Sequence, residues 1–172
     1  MRGIITIIFL LLSPLSAFSQ GKPDLSGTWV LDESKSKIPG GLQDELSITA
    51  FVIVHRDPEV RVTGKTNLGG IEQEQESVYF SDGRGEINEA KGKSVESLTK
   101  WSGNKLVIKY TIQFSVQWAG STRKGKMKVT ESWELSKDGQ KLTRTLLRDI
   151  SADVPAEIAQ YRDIKMVFTR SP

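Results

Sequence analysis

Apolar and polar residues alternate with a period of two along much of this chain. From Lys105 to Gln117, the residues Leu106, Ile108, Tyr110, Ile112, Phe114 and Val116 alternate with Lys109, Thr111, Gln113, Ser115 and Gln117, and only Val107 breaks the polar face. Successive side chains of a strand point to opposite faces, so this run is a long half-buried antiparallel strand. The period recurs from Lys126 to Leu135, where Met127, Val129, Trp133 and Leu135 oppose Lys126, Lys128, Thr130, Ser132 and Glu134, and again where Ile164, Met166 and Phe168 stand in phase. Turn signals separate the runs: Leu68-Gly69-Gly70, Ser81-Asp82-Gly83, Ser102-Gly103-Asn104, Ala119-Gly120-Ser121 and Lys137-Asp138-Gly139. Each joins two neighbouring strands as a hairpin. The strands expected are 26–31, 46–55, 58–66, 72–80, 94–101, 105–117, 123–135, 141–149 and 161–170. Eight or nine antiparallel strands in sequence, without a convincing helix, predict an all-β fold, a single up-and-down β-barrel whose closure removes exposed edges. A two-sheet sandwich is the alternative with the same period.

Two stretches interrupt the meander. Residues 32–45 are too long for a hairpin turn and hold room for one helical turn before Pro39, and a loop of that length suits a lid over an opening. Residues 150–160, with Pro155 inside, form the second irregular connection. Nothing divides the rest into further domains.

The start of the chain has the three parts of an export signal: Arg2, the apolar stretch Ile4 to Leu12, and the small-x-small site Ala17-Phe18-Ser19. Residues 1–19 are therefore expected to be a signal peptide cut before Gln20, leaving a barrel domain over 20–172. The apolar run is shorter than the roughly 20 residues that span a bilayer, and no second one follows. The expected location is the periplasm or the exterior of a bacterium. The chain has no cysteine, so neither a disulfide nor a cysteine-borne lipid anchor can form. Formal charge falls from +3 to +2 once Arg2 is removed with the leader, a balance that calls for no polyanionic partner.

Just after the leader comes Pro23-Asp24-Leu25-Ser26-Gly27-Thr28-Trp29-Val30-Leu31-Asp32-Glu33-Ser34-Lys35-Ser36, and further on Trp133-Glu134-Leu135-Ser136-Lys137-Asp138-Gly139-Gln140-Lys141-Leu142-Thr143. These segments resemble a group of exported bacterial lipocalin-like proteins, within the calycin superfamily that takes in lipocalins, fatty-acid-binding proteins and avidins. The shared mark is Gly27-x-Trp29 near the start of the first strand. The resemblance implies a barrel holding a small ligand. It also implies a closure in which Arg170, in phase with Ile164, Met166 and Phe168, stacks on Trp29 beside Gly27.

Candidate ligand contacts are polar or aromatic residues in the inward phase. Glu131 lies between Val129 and Trp133, and Arg144 and Arg148 share a phase with Leu142 and Leu146. A charge facing the interior must be paired or wet, so Glu131 and Arg144 either form a structural ion pair or leave Arg144 or Arg148 to hold a ligand carboxylate. Trp101, Tyr110, Phe114 and Trp133 would line the same space, with Val95, Ser97 and Thr99 keeping one wall small. An eight-stranded barrel can equally be filled by its own side chains.

Chemistry beyond binding has little support. His55 is the sole histidine, so a multi-histidine metal centre cannot form, and no nucleophile elbow, phosphate loop or zinc spacing is present. Glu72, Glu74 and Glu76 alternate with Gln73 and Gln75 and read as a solvated outer face. No catalytic residue, metal or cofactor is expected. Arg123-Lys124-Gly125-Lys126-x-Lys128 is the dense basic stretch; it lacks the interleaved aromatics that nucleic acid would want and leaves contact with anionic lipid headgroups open. The function expected is binding of a small hydrophobic or amphipathic ligand. The alternatives are an interaction protein, such as a protease inhibitor acting through loops 32–45 and 150–160, and an enzyme on the same scaffold with Glu131 as acid or base.

Overall fold

The computed structural model describes residues 21–39, 49–68, 71–90, 92–118, 120–150 and 163–172. They form ten strands: β1 Gly27–Leu31, β2 Ala50–Arg56, β3 Glu59–Leu68, β4 Ile71–Phe80, β5 Glu86–Ala90, β6 Lys93–Ser102, β7 Lys105–Trp118, β8 Ser121–Leu135, β9 Lys141–Ile150 and β10 Asp163–Ser171. All belong to one antiparallel sheet in the order β4-β3-β2-β1-β10-β9-β8-β7-β6-β5. Every neighbour is the next strand in sequence except at β1, where Thr28 registers opposite Ser171 and Leu31 opposite Phe168. The remaining edges, β4 and β5, lie side by side, so the sheet is a nearly closed barrel and the two-sheet sandwich is excluded.

The count is ten where eight or nine were expected, and β5 is the addition. Its sequence Glu-Ile-Asn-Glu-Ala inverts the usual signal. The apolar Ile87 faces solvent at 67% exposure, while Glu86 is buried and Asn88 half-buried. The helical turn expected before Pro39 is a single 3-10 turn, Glu33–Lys35. The proposed leader, residues 40–45 of the first irregular stretch, residues 151–160 of the second, and residues 46–48 and 161–162 of the strands expected after them lie outside the described residues. Among the described residues no helix is long and apolar enough to cross a membrane.

Packing is strongest at the end of the barrel where β1 starts. Trp29 is fully buried, its indole Nε1–H donating to the Leu25 carbonyl at 3.0 Å. The Arg170 guanidinium lies 4.5 Å from its ring centroid, donates from Nε to the Gly139 carbonyl at 2.9 Å and from Nη1 to the Ser26 carbonyl. One side chain thus ties together the N-terminal approach, the last strand and the β8–β9 turn. Gly27 makes this possible. Its φ of +142° suits glycine, and a Cβ there would collide with the Arg170 guanidinium.

The core of Trp29, Phe51, Ile53, Val60, Leu106, Ile108, Trp133, Leu142, Ile164 and Phe168 continues from this floor. Burial then declines along the inward faces. On β7, Leu106 and Ile108 are buried while Tyr110, Ile112 and Phe114 are partly exposed; on β8, Trp133, Glu131 and Val129 are buried while Met127 is partly exposed. The barrel is therefore filled at the Trp29 end and more accessible towards the β7–β8 turn.

Candidate functional site

Register places the inward side chains in rows. Trp133 stands opposite Leu106 on one side and Arg144 on the other; Glu131 stands between Ile108 and Leu146, and Val129 between Tyr110 and Arg148. Since residues directly opposite one another share a face, Glu131, Trp133, Arg144 and Arg148 all face the interior with Tyr110.

The deeper group is an ion pair inside an aromatic cage. Arg144 donates to Glu131 Oε1 from Nε at 2.7 Å and from Nη2 at 2.6 Å, and Trp133 Nε1–H donates to the same oxygen. The guanidinium carbon sits 4.9 Å from the Trp133 ring, 5.5 Å from Phe51 and 5.9 Å from Phe168. Burial works most strongly against a charge on Arg144, but Glu131, joined by Tyr79 and Tyr110, outweighs it and holds the pKa above the ordinary guanidinium value. Tyr79, edge-on to Trp133 at 5.6 Å, has its phenol pushed up to about 12, first by burial and then by Glu131. With three donor contacts on one oxygen and a cation beside it, Glu131 is held as a fixed counter-ion, an arrangement that does not favour a proton-transfer role.

Arg148 is different. Two rows beyond Arg144 towards the accessible end, its Nε is buried and has no hydrogen-bond partner among the described residues. Tyr110 lies across Val129 from it; burial and then Glu131 raise the Tyr110 phenol pKa, and Arg148 acts to lower it. A guanidinium N–H turned inward without an acceptor is a costly arrangement that an anionic group would relieve. Phe114 lies further along the same inward row of β7, over Gly125, where a Cβ would meet its Cζ at 2.5 Å.

Trp101 does not join this group. It sits at the filled end, 5.9 Å from the His55 ring, with Nε1 3.4 Å from Asp57 Oδ1. The His55 side chain is itself buried there. Its Nδ1 accepts the Leu25 N–H at 3.3 Å, and Asp24 and Asp57 approach at 3.7 and 3.8 Å. Of the three glutamates of β4, Glu74 and Glu76 are exposed and Glu76 pairs with Arg61; the side chain of Glu72 is outside the description.

Sequence reasoning missed the polar seam between β4 and β5. The Asn88 side chain accepts the Val78 N–H at 2.7 Å and donates to the Val78 carbonyl at 2.9 Å, so one carboxamide replaces a peptide group of the absent ladder. Glu86 accepts hydroxyl donors from Ser97 and Thr99, both at 2.6 Å, and the Phe80 N–H at 3.2 Å. Only the pairing of a short turn with Glu and Asn at alternate positions could have pointed to it. Asn88→Ala is expected to lower stability by about 1–3 kcal/mol in chemical denaturation. It should also speed hydrogen exchange at the Val78 amide, and unchanged exchange there would show that the seam is held by other groups.

Compared with models of known families and with curated proteins, the chain matches none.

Proposed function

We propose that this barrel is an exported, lipocalin-like carrier that binds a small hydrophobic or amphipathic molecule, with an anionic head on Arg148 and an apolar body among Tyr110, Phe114, Ile112 and Met127. The observation that carries the reading is the buried Nε of Arg148, without a hydrogen-bond partner among the described residues, on an inward face that grows more accessible towards the β7–β8 turn. Arg144 is left out of ligand binding because Glu131 already holds it. The resemblance at Gly27-x-Trp29 and the Arg170 closure support the lipocalin-like assignment, and the leader supports export with a mature start at Gln20.

The test is displacement of a fluorescent fatty acid from the mature protein, run in parallel with a carboxylate amphiphile and its matching alcohol. A hydrogen bond to a charged group contributes about 1.5–3 kcal/mol, so Arg148→Met should weaken the carboxylate roughly 10- to 150-fold and leave the alcohol unchanged. A wild-type protein that takes up neither fatty acids nor apolar dyes would mean a packed interior. The search would then turn to the connections at 32–45 and 150–160 as surfaces for a protein partner.

A further inference from the structure

The two longest strands, β7 with 14 residues and β8 with 15, run beyond the strands that flank them. The ladder between β6 and β7 ends at Ser97 and Tyr110, and the ladder between β8 and β9 ends at Met127 and Ile150. Beyond those pairs, β7 and β8 pair only with each other among the described residues, through Gln113–Lys126, Phe114–Gly125, Ser115–Lys124, Val116–Arg123, Gln117–Thr122 and Trp118–Ser121. The result is a two-stranded ribbon standing at the accessible end of the barrel.

Its two faces differ. One carries Ile112, Phe114 and Met127, all partly exposed; the other carries the exposed Thr111, Gln113, Ser115, Lys124, Lys126 and Lys128. From Lys105 to Thr130 the chain has six basic residues and no acidic one, although the whole sequence has 21 Asp and Glu. Among the described residues, the carboxylate nearest by register is Asp149, opposite Lys128 at the foot of the ribbon. The ribbon presents a partly exposed apolar face and a cationic one together.

We propose that the β7–β8 ribbon docks the accessible end of the barrel onto an anionic lipid surface, with Lys124, Lys126 and Lys128 among the headgroups and the Phe114 face, the same apolar lining given above to the ligand, opening onto the acyl boundary. Charge complementarity selects the anionic lipid, since basic side chains near such a surface are drawn to it and an adjoining apolar face adds burial. A nucleic acid would use the cations and leave the Ile112–Phe114–Met127 face without a role. The inference does not rest on the ligand assigned to Arg148, because vesicle binding is read without any ligand.

The experiment is flotation of the mature protein with vesicles of phosphatidylcholine alone and of phosphatidylcholine mixed with phosphatidylglycerol. Binding to the mixed vesicles alone, weakening as salt is raised, is the expected result. At roughly fivefold per lysine, Lys124→Gln with Lys126→Gln and Lys128→Gln should weaken it about a hundredfold, whereas the three Lys→Arg changes should preserve it. These side chains are exposed, so the thermal unfolding of both variants should match the wild type. Equal binding to neutral and mixed vesicles, or a glutamine variant that floats like the wild type, would overturn the proposal. So would tighter binding to a single-stranded oligonucleotide than to the mixed vesicles at the same salt.

Discussion

Trp29→Ala lowers the unfolding free energy by about 3–5 kcal/mol, the range for truncating a fully buried large aromatic. Three losses coincide. The indole area leaves a cavity at the floor of the barrel, the Leu25 carbonyl loses its donor, and the Arg170 guanidinium loses the ring it covers. Arg170 keeps its bonds to Gly139 and Ser26, so the β1–β10 join should persist in a weakened form. Trp29→Phe restores most of the apolar area without the indole donor and should cost less than the alanine change. The measurement is urea denaturation of the three proteins side by side. Equal midpoints for Trp29→Ala and wild type would place the closure of the barrel elsewhere.

The second large effect concerns the interior ion pair. Glu131→Ala leaves the Arg144 guanidinium between Trp133, Phe51 and Phe168 without its counter-ion, and breaking a buried pair in this way costs about 3–5 kcal/mol. Removing both charges is a different case. Glu131→Leu combined with Arg144→Met leaves no orphaned charge, so the double variant should be substantially more stable than Glu131→Ala and approach the wild type. A double-mutant cycle gives the coupling directly. Losses that simply add would mean that the two groups act independently, against the 2.6 and 2.7 Å contacts between them.

The inward phase of β7 and β8 is legible from Leu106 to Phe114 and from Met127 to Leu135 because a half-buried strand sorts its residues by polarity. Glu131 stands out in that sequence as a charge in an apolar phase, and Arg144 follows from the next strand. Which of Arg144 and Arg148 is tied to Glu131 is not in the pattern. It depends on cross-strand register, which sets Arg144 opposite Trp133 and Arg148 opposite Val129. Trp101 shares the inward phase with Tyr110, yet the direction of β6 carries it to the opposite end of the barrel, and phase alone says nothing about height along the axis. β5 escapes the pattern for the reverse reason. Its inward positions are occupied by Glu86 and Asn88, whose buried hydrogen bonds do the work that apolar contacts do elsewhere.

The β4–β5 seam also bears on how the chain is threaded. Nine of the possible ten junctions around the barrel are backbone ladders, and eight of those are hairpins or short-range pairings between consecutive strands. The exception is β1 with β10, which brings Thr28 opposite Ser171 across almost the whole chain and has the greatest loop-closure cost. The gap in the ladder falls between two consecutive strands, far from either end of the described chain. A circular permutant that joined β10 to β1 and opened at Asp82–Arg84 would begin with β5 and finish with β4, turning the one long-range pairing into a local one and setting both new termini at the seam.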